Sequence, residues 1–264
     1  MYYLWNRWPE IQKQIRLRKN LFFLLDYDGT LTRIAPTPSQ ARLSPQTKLV
    51  LRRLSRRPNV TVVVISGRAL VDLKRMVGLR NLGYAGNHGL ELWWRSKRRT
   101  VKIPGAVEKA LSKVKRILSK VGRDFNGVIM ENKGLSLSLH YRLVKAKDLP
   151  HLKEEFWNRV MPFVRSGKVR VVKGKRVFDV RPNVPWTKGH AALWFMKTLA
   201  SASCLPIYIG DDQTDEDAFR VLKRGITIRV GEHYKSKARY YVRRVREVIQ
   251  FLECLADEHA LREH

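Results

Sequence analysis

The sequence predicts an α/β protein, in which a doubly wound, parallel-sheet core carries an inserted α+β domain. Three stretches, residues 21–25, 60–65 and 205–209, are apolar runs of strand length, typical of strands that helices cover on both faces. Each run is followed by polar residues and then by a segment with helical periodicity. Strands and helices that alternate in this way form a parallel sheet, and functional groups collect where its strands end.

The first part of the chain supplies the opening elements of this core. An amphipathic helix is predicted at 9–19, directly before the buried strand at 21–25. A loop with two prolines follows at 35–43, and Ser44 is placed to cap the next helix, which has a proline in its first turn. The further elements predicted here are a strand at 60–66, a helix from 67 to 76, and a strand with a turn at 84–92.

The pattern changes at about residue 95, where strands begin to alternate polar and apolar residues. Helix, two strands, helix and a hairpin follow one another, which predicts a compact α+β unit inserted into the core. We therefore expect a core made of residues 1–94 and 183–264 and a cap made of residues 95–182. The cap elements are a helix at 104–121, strands at 126–133 and 135–142, a helix at 148–164, and a hairpin at 168–182.

One face of the predicted cap strands is polar and the other is apolar. Because successive side chains of a strand point to opposite faces, the polar positions share one face. This face is either an ordinary solvated surface or the recognition surface of a cap that covers a binding site. Its residues are Glu131, Lys133, Ser136, Ser138, His140, Arg142, Asp179 and Arg181.

The core resumes near residue 186, where a helix is predicted to run to about residue 199. Lys188 lies in its first turn, which is unfavourable for the helix dipole unless the lysine is solvated or helps to hold an anion. The strand at 205–209 is followed by an unusually acidic segment, 210–217. A short strand at 225–231 and a C-terminal helix at about 237–261 complete the prediction.

The composition restricts the class of protein. The chain has 264 residues with 44% hydrophobic side chains, enough for a proper core. No apolar run approaches the roughly 20 residues that cross a bilayer. The aromatic N-terminal stretch contains Arg7 and does not resemble a signal peptide. We therefore expect a cytoplasmic protein without a membrane partner.

The net charge is the unusual feature of this composition. With 53 Lys and Arg against 23 Asp and Glu, the formal charge is +30, which attracts polyanions such as nucleic acid. The basic residues are spread through nearly every segment, however, and form no recognisable nucleic-acid module. A solvated basic surface is the favoured interpretation. The alternative is a nucleic-acid-binding protein whose acidic site is vestigial.

Polar groups follow several of the predicted strands. Asp26 and Asp28 follow the first strand, where they form either an Asp-Gly turn or a metal or acid/base site. Ser66, Lys188 and Asp211 arrive at equivalent strand ends or helix starts. Together these groups predict phosphoryl transfer, which needs an attacking group, a cation and donors for the phosphoryl oxygens.

Each group has a predicted role in that reaction. A carboxylate nucleophile and a phosphate are both anionic, so a divalent cation must lie between them, and Mg²⁺ suits oxygen ligands from Asp26, Asp211 and the carbonyl of Asp28. Asp26 would attack, and Asp28 would act as general acid and then as base. Ser66 and Lys188 would contact the phosphoryl oxygens. Asp212 and Asp215 would orient the metal ligands.

The ordered motifs resemble a known family. DYDGT at 26–30, SGR at 66–68, Lys188 and GDDQTDED at 210–217 resemble the four motifs of haloacid-dehalogenase-like phosphatases. With YAGNHGLE, ENKGLSLSLHYR and GKRVFDVRP between them, nearly the whole chain resembles trehalose-6-phosphate phosphatases. The resemblance implies a Rossmann-like core with a cap, Mg²⁺, and hydrolysis of trehalose 6-phosphate through an aspartyl phosphate.

The resemblance also implies which residues contact the phosphosugar. They are Thr30, Gly67, Arg68, Asn87, His88, Glu131, Lys133, Arg142 and Asp179. Asp179 stands where the family commonly has glutamate, so its carboxylate reaches one methylene less far. This leaves sucrose phosphate or another phosphosugar as an alternative substrate. A further hypothesis is that the protein docks on the synthase that makes its substrate.

Overall fold

The computed structural model describes residues 1–174, 176–200 and 203–257. The chain forms two compact units, one made of Met1–Thr100 and the chain from Trp186, the other of Val101–Pro185. The predicted cap began at residue 95, whereas the strand at 97–100 pairs within the sheet of the first unit. The functional assignment of the two units as core and cap stays a prediction.

The first unit contains a nine-stranded sheet and six helices within the described residues. Its strands are β1 Tyr2–Tyr3, β2 Asn20–Asp26, β3 Val60–Ile65, β4 Gly83–Gly86, β5 Glu91–Trp94, β6 Lys97–Thr100, β11 Cys204–Gly210, β12 Ile226–Val230 and β13 Tyr240–Val242. Its helices are α1 Trp8–Arg16, α2 Pro45–Arg56, α3 Leu70–Val77, α6 Lys188–Leu199, α7 Glu216–Val221 and α8 Val245–Ala256.

The sheet order places β2 in the middle, between β11 on one side and β3 on the other. The full order is β1-β13-β12-β11-β2-β3-β4-β5-β6, with antiparallel pairing only where β4 meets β5 and β5 meets β6. Chain order runs outward from β2 to β6 on one side and from β11 to β13 on the other, where β1 adds the outermost strand. The boundary between β2 and β11 is thus the topological switch point, where ligands bind in sheets of this class.

Both faces of the sheet are buried, as the apolar runs predicted. Along β2, Leu21, Phe23 and Leu25 pack in the cluster that contains the buried faces of α1, α2, α3 and α8. Phe22 and Leu24 pack on the opposite side, with α6 and α7. The predicted α/β fold class, with its doubly wound and mostly parallel sheet, is confirmed.

The C-terminal helix begins later than the sequence predicted. Residues 240–242, expected to be helical, form β13, which pairs in parallel with β12 and β1. The run Tyr240, Tyr241 and Val242 has high strand propensity, and pairing on both edges overrides the apolar spacing that suggested a helix. Helix α8 then occupies Val245–Ala256, and the predicted helical positions after 257 lie outside the described residues.

The second unit is the predicted α+β arrangement. Its four-stranded antiparallel sheet has the order β7-β8-β10-β9, and two long helices pack on one face of it. The buried residues Leu137, Leu139, Phe178 and Val180 face these helices. The elements are α4 Gly105–Asp124, β7 Ile129–Asn132, β8 Leu137–His140, α5 Leu149–Arg165, β9 Val169–Gly174 and β10 Val177–Pro182.

Across residues 1–174, 176–200 and 203–257, the helices are too short or too polar to cross a bilayer.

Candidate active site

Asp26 is the last residue of β2 and lies at the switch point of the sheet. Its side chain is buried, with 4% of the residue exposed. One carboxylate oxygen, Oδ1, accepts a hydrogen bond of 2.7 Å from the ammonium group of Lys188. A buried carboxylate that is held on one oxygen by a cation is positioned for attack through its other oxygen.

Lys188 connects the carboxylates of the site. It is the first residue of α6 and is 2% exposed. Its Nζ lies 2.7 Å from Asp26 Oδ1, 2.8 Å from Asp215 Oδ1 and 3.9 Å from Asp212 Oδ1. Burial lowers the pKa of Lys188, but the carboxylates of Asp215 and Asp26 outweigh this effect and raise it well above its ordinary value. The lysine therefore stays charged.

Asp215 organises the acidic loop after β11. Its Oδ1 accepts hydrogen bonds from Lys188 and from the hydroxyl of Tyr208, both at 2.8 Å. Its Oδ2 accepts from the backbone N–H groups of Asp211 and Asp212, at 3.1 and 3.0 Å. Both oxygens are thus occupied by protein donors. The predicted role of Asp215, to orient the metal ligands, stays a prediction.

The donor set fits a hard divalent cation. Carboxylate oxygens of Asp26, Asp211 and Asp215 lie within 4.8 Å of one another. Burial raises the pKa of Asp26 well above its ordinary value, and the neighbouring Asp215 and Asp211 raise it further against the opposing effect of Lys188. A bound cation would relieve this repulsion between carboxylates. Since Asp215 is saturated by protein donors, Asp26 and Asp211 are the better candidates for direct ligands.

Gly29 brings the first motif against the acidic loop. It has a φ of +85°, and a Cβ atom at this position would overlap the carboxylate of Asp211. Its N–H donates to the carbonyl of Thr32 at 2.8 Å, which closes the turn after β2. Glycine is required here by both the backbone conformation and the close approach. The metal-ligand role of the Asp28 carbonyl, which lies in this turn, stays a prediction.

Asp28 is held by Arg68, for which the family resemblance implied a contact with the substrate. The guanidinium of Arg68 donates to both carboxylate oxygens of Asp28, at 2.8 and 2.6 Å. Arg68 is largely buried, whereas the side chain of Asp28 is 41% exposed. Bidentate pairing fixes the orientation of the carboxylate. The structure therefore gives Arg68 a contact that the sequence did not predict, and its substrate contact stays a prediction.

Two hydroxyl residues lie in the same part of the first unit. Ser66 follows β3, is buried, and accepts a hydrogen bond from the backbone N–H of Arg68 at 3.2 Å. The hydroxyl of Thr30 is buried and has no hydrogen-bond partner within the described part of the chain. A buried hydroxyl without a partner is costly, and a phosphoryl oxygen could supply one.

Asn87 and His88 occupy a strained loop after β4. Their φ values are 49° and 58°, in the left-handed region that non-glycine residues rarely adopt. A Cβ atom at Gly67 would overlap the ring of His88, so these two motifs touch. The structure thus places Asn87 and His88 beside the Ser66 to Arg68 motif. Their contacts with substrate stay predictions.

Glu91 was missed by the sequence reasoning. It is buried and accepts hydrogen bonds from the Asn87 side chain at 2.6 Å and from Arg98 at 2.5 Å. Glu91 thereby fixes the strained Asn87 loop. The available signal was an acidic residue inside the otherwise apolar stretch GLELWW, since a buried carboxylate needs partners.

The polar face of the second unit is a network of paired charges. Asp179 accepts hydrogen bonds from Lys133 at 3.3 Å, Ser138 at 2.5 Å and Arg181 at 2.5 Å. Glu131 pairs with His140 at 2.9 Å and lies 4.0 Å from Lys133.

Much of this face is buried, which argues against the first of its two interpretations, an ordinary solvated surface. Ser136, Ser138, Asp179 and Arg181 are each at most 6% exposed, while Glu131 and His140 are half-buried. Arg142 lies beyond the end of β8 and is exposed. The alternation of polar and apolar residues predicted which side chains share this face. It could not predict that their charged groups pair with one another. His140 and Arg181 are members of the network that the resemblance did not assign.

Comparisons with known proteins agree with this site. A family model described as trehalose-phosphatase matches residues 24–245. Probable trehalose-phosphate phosphatase D of Arabidopsis thaliana is 34% identical over 260 residues, which cover 90% of this chain and 68% of that protein. Trehalose 6-phosphate phosphatase RA3 of Zea mays is 32% identical over 270 residues, which cover 93% of this chain and 72% of that protein.

A solved structure supports the same fold. The C-terminal domain of the C. albicans trehalose-6-phosphate phosphatase is similar with a TM-score of 0.82 and 24% sequence identity. The match covers 94% of this chain and 96% of that domain. The family resemblance that the motifs predicted is confirmed by the family model and by the relatives. The chain belongs to the trehalose-phosphatase family.

Proposed function

We propose that this enzyme hydrolyses trehalose 6-phosphate to trehalose and phosphate, with Mg²⁺, through an aspartyl phosphate on Asp26. The observation that carries the proposal is the buried contact of Lys188 with Asp26, at the edge of the sheet where Asp211 and Asp215 also lie. The names of the similar plant proteins support the substrate. Bound Mg²⁺, held by Asp26 and Asp211, would neutralise the negative charge of the phosphate and polarise it.

In the first chemical step, the free carboxylate oxygen of Asp26 attacks phosphorus, while Lys188 holds the other oxygen. A bond forms between this oxygen and phosphorus, and the bond between phosphorus and the sugar oxygen breaks. Asp28 acts as the general acid and donates a proton to that sugar oxygen, which leaves as the hydroxyl of trehalose. Because both oxygens of Asp28 accept from Arg68 in the structure, this ion pair must open when Asp28 takes up the proton.

In the second step, Asp28 takes a proton from water, and the resulting hydroxide attacks phosphorus. The bond between phosphorus and Asp26 breaks, which releases phosphate and restores the free carboxylate. Ser66 and Thr30 are proposed to donate to the phosphoryl oxygens in both steps, and the unpartnered hydroxyl of Thr30 supports this role.

We propose that the charged network of the second unit recognises the sugar. Glu131, Lys133, Arg142 and Asp179 offer carboxylates and cations, groups that bind the hydroxyls of a disaccharide. Asp179 already accepts three protein hydrogen bonds, so its main role is to hold the network in place.

Removing a recognition group should affect the disaccharide substrate selectively. We expect Glu131→Ala and Arg142→Ala to lower kcat/KM for trehalose 6-phosphate by about tenfold or more, because each removes a charged hydrogen-bonding group. Hydrolysis of a small aryl phosphate should stay within about twofold, since it needs only the phosphoryl chemistry. Arg116→Ala, an exposed arginine of α4, is the matched control. Equal losses on both substrates would contradict the recognition role.

A substrate panel tests the proposed function directly. Phosphate release is measured with trehalose 6-phosphate, sucrose 6-phosphate and glucose 6-phosphate, each with Mg²⁺ and with a chelator. We expect the highest kcat/KM with trehalose 6-phosphate and no turnover in the chelator. If trehalose 6-phosphate turns over no faster than glucose 6-phosphate, the substrate assignment is wrong. Docking on the synthase remains a hypothesis that co-purification would test.

A further inference from the structure

A cavity of about 820 Å³ lies in the first unit, and its lining contains none of the catalytic carboxylates. Its lining comes from residues 31–47, which contain the loop after the first motif and the start of α2, and from residues 245–253 of α8. One lining residue, Thr32, also takes part in the turn that holds Gly29 in the site described above. The volume is within the range of roughly 300 to 1,000 Å³ that is typical of small-molecule sites.

Three arginines line this cavity, each from a different part of its wall. They are Arg33 and Arg42 in the loop and Arg246 in α8, and all three are exposed. Within the described ranges, the structure gives none of these side chains a hydrogen bond or an ion pair. Unpaired guanidinium groups around one cavity are suited to a phosphate or carboxylate, which they can bind through two parallel hydrogen bonds.

The remaining lining fits an anion with an organic body. Glu253 is the acidic member of the lining, and the amide of Gln46 donates to it at 2.6 Å. Buried apolar residues, Leu31, Ala41 and Ile249, also contribute to the wall. A cavity with both apolar and basic walls matches a ligand that joins an apolar or sugar body to an anionic group.

Helix α8 adds a further favourable feature. Its first residues, Val245 and Arg246, line the cavity, and its first turn has no side-chain cap. The start of a helix carries partial positive charge, which adds to that of the arginines, although the carboxylate of Glu247 in the same turn offsets part of it. The start of α2 also lines the cavity, but there Ser44 already caps the N–H of Thr47.

We propose that this cavity is a second ligand site, which binds a small phosphorylated organic anion outside the active site. The phosphate contacts Arg33, Arg42 and Arg246, and the organic body packs on the apolar wall. The site also adjoins the catalytic turn, because Thr32 lines the cavity and its carbonyl accepts the N–H of Gly29. A ligand bound there contacts the loop that continues from Asp28 and Thr30.

Calorimetric titration with phenylphosphonate, a non-hydrolysable anion with an apolar body, tests the proposal in a metal-free buffer. The wild-type protein is compared with the triple variant Arg33→Ala, Arg42→Ala, Arg246→Ala. The control triple variant, Lys113→Ala, Arg116→Ala, Lys120→Ala, removes the same charge from the exposed face of α4.

We expect wild type and control to show the same binding, and the cavity variant to lose one binding event or bind at least about tenfold more weakly. Identical isotherms for wild type and cavity variant, or no binding to wild type at millimolar ligand, would overturn the proposal.

A second measurement needs no variant and so does not depend on its folding. Arginines of the wild-type protein are modified with phenylglyoxal, with and without phenylphosphonate, and mapped by mass spectrometry. We expect the ligand to protect Arg33, Arg42 and Arg246 but not the exposed Arg116. Unchanged modification of the three cavity arginines would show that the ligand does not bind there.

Discussion

Asp26→Asn is expected to lower kcat for trehalose 6-phosphate by at least about a thousandfold and to abolish phosphoenzyme formation. The amide has nearly the same shape as the carboxylate but cannot attack phosphorus, and it carries no charge to hold a cation. Because Asp26 is buried and accepts a hydrogen bond from Lys188, the substitution also removes a negative charge that pairs with that lysine, although the amide oxygen can still accept its hydrogen bond. Steady-state phosphate release and acid-quenched single turnovers measure the two effects.

The control for this experiment is Asp124→Asn, which makes the same chemical change at an exposed position of α4. Its activity should stay within about twofold of wild type, since surface substitutions have small effects. Circular dichroism of both variants establishes that they are folded. Wild-type turnover in Asp26→Asn would remove Asp26 as the nucleophile, whatever the effect of the control.

The second large effect is expected for Lys188→Met, which removes the buried cation while keeping most of the side-chain volume. Asp26 and Asp215 then lose the ammonium group that lies 2.7 and 2.8 Å away. Breaking a buried charge cluster by removal of one partner costs about 3–5 kcal/mol in the free energy of unfolding. We also expect kcat to fall by about a hundredfold or more, because a positioned positive charge is lost beside the reacting phosphate.

Denaturant unfolding and phosphate release measure these two effects separately. Lys197→Met, on the same helix but exposed, is the matched control and should change neither quantity by much. If Lys188→Met unfolds at the same denaturant concentration as wild type, the charge cluster does not stabilise the fold as described. If it also retains wild-type kcat, Lys188 has no catalytic role.

The sequence predicted the core of the site because its groups follow buried strands. Asp26 ends β2 and Asp211 follows β11, and these neighbouring strands define the switch point of the sheet. A run of apolar residues that ends in a carboxylate is visible in sequence, and parallel pairing then brings the carboxyl ends together. The convergence of Asp26, Lys188 and the acidic loop was thus predictable without coordinates.

The pairing of side chains was not predictable in the same way. The contact of Arg68 with Asp28 joins residues that are forty positions apart, and Glu91 fixes Asn87 through a single side-chain hydrogen bond. Such contacts depend on rotamers and on local backbone geometry, which periodicity does not specify. Periodicity also could not show that the polar strand face of the second unit is a buried network around Asp179 and not a solvated surface.

The start of the last helix shows a competition between two local signals. Val242, Val245, Val248 and Ile249 have helical spacing, which suggested one continuous helix. Tyr240 to Val242 instead form a strand between β12 and β1, because pairing with two strands stabilises these residues more than three further helical positions would. The local pattern does not reveal a pairing partner that is distant in sequence, here β1 near the N-terminus.

Trapping the phosphoryl group on the protein tests directly whether Asp26 is the nucleophile. Wild-type enzyme is mixed with trehalose 6-phosphate and Mg²⁺, quenched in acid within a single turnover, and reduced with borohydride, which converts an aspartyl phosphate to homoserine. Peptide mass spectrometry then locates the reduced residue. We expect homoserine at position 26 and nowhere else. Reduction at another carboxylate, or phosphate release without any reducible intermediate, would contradict it.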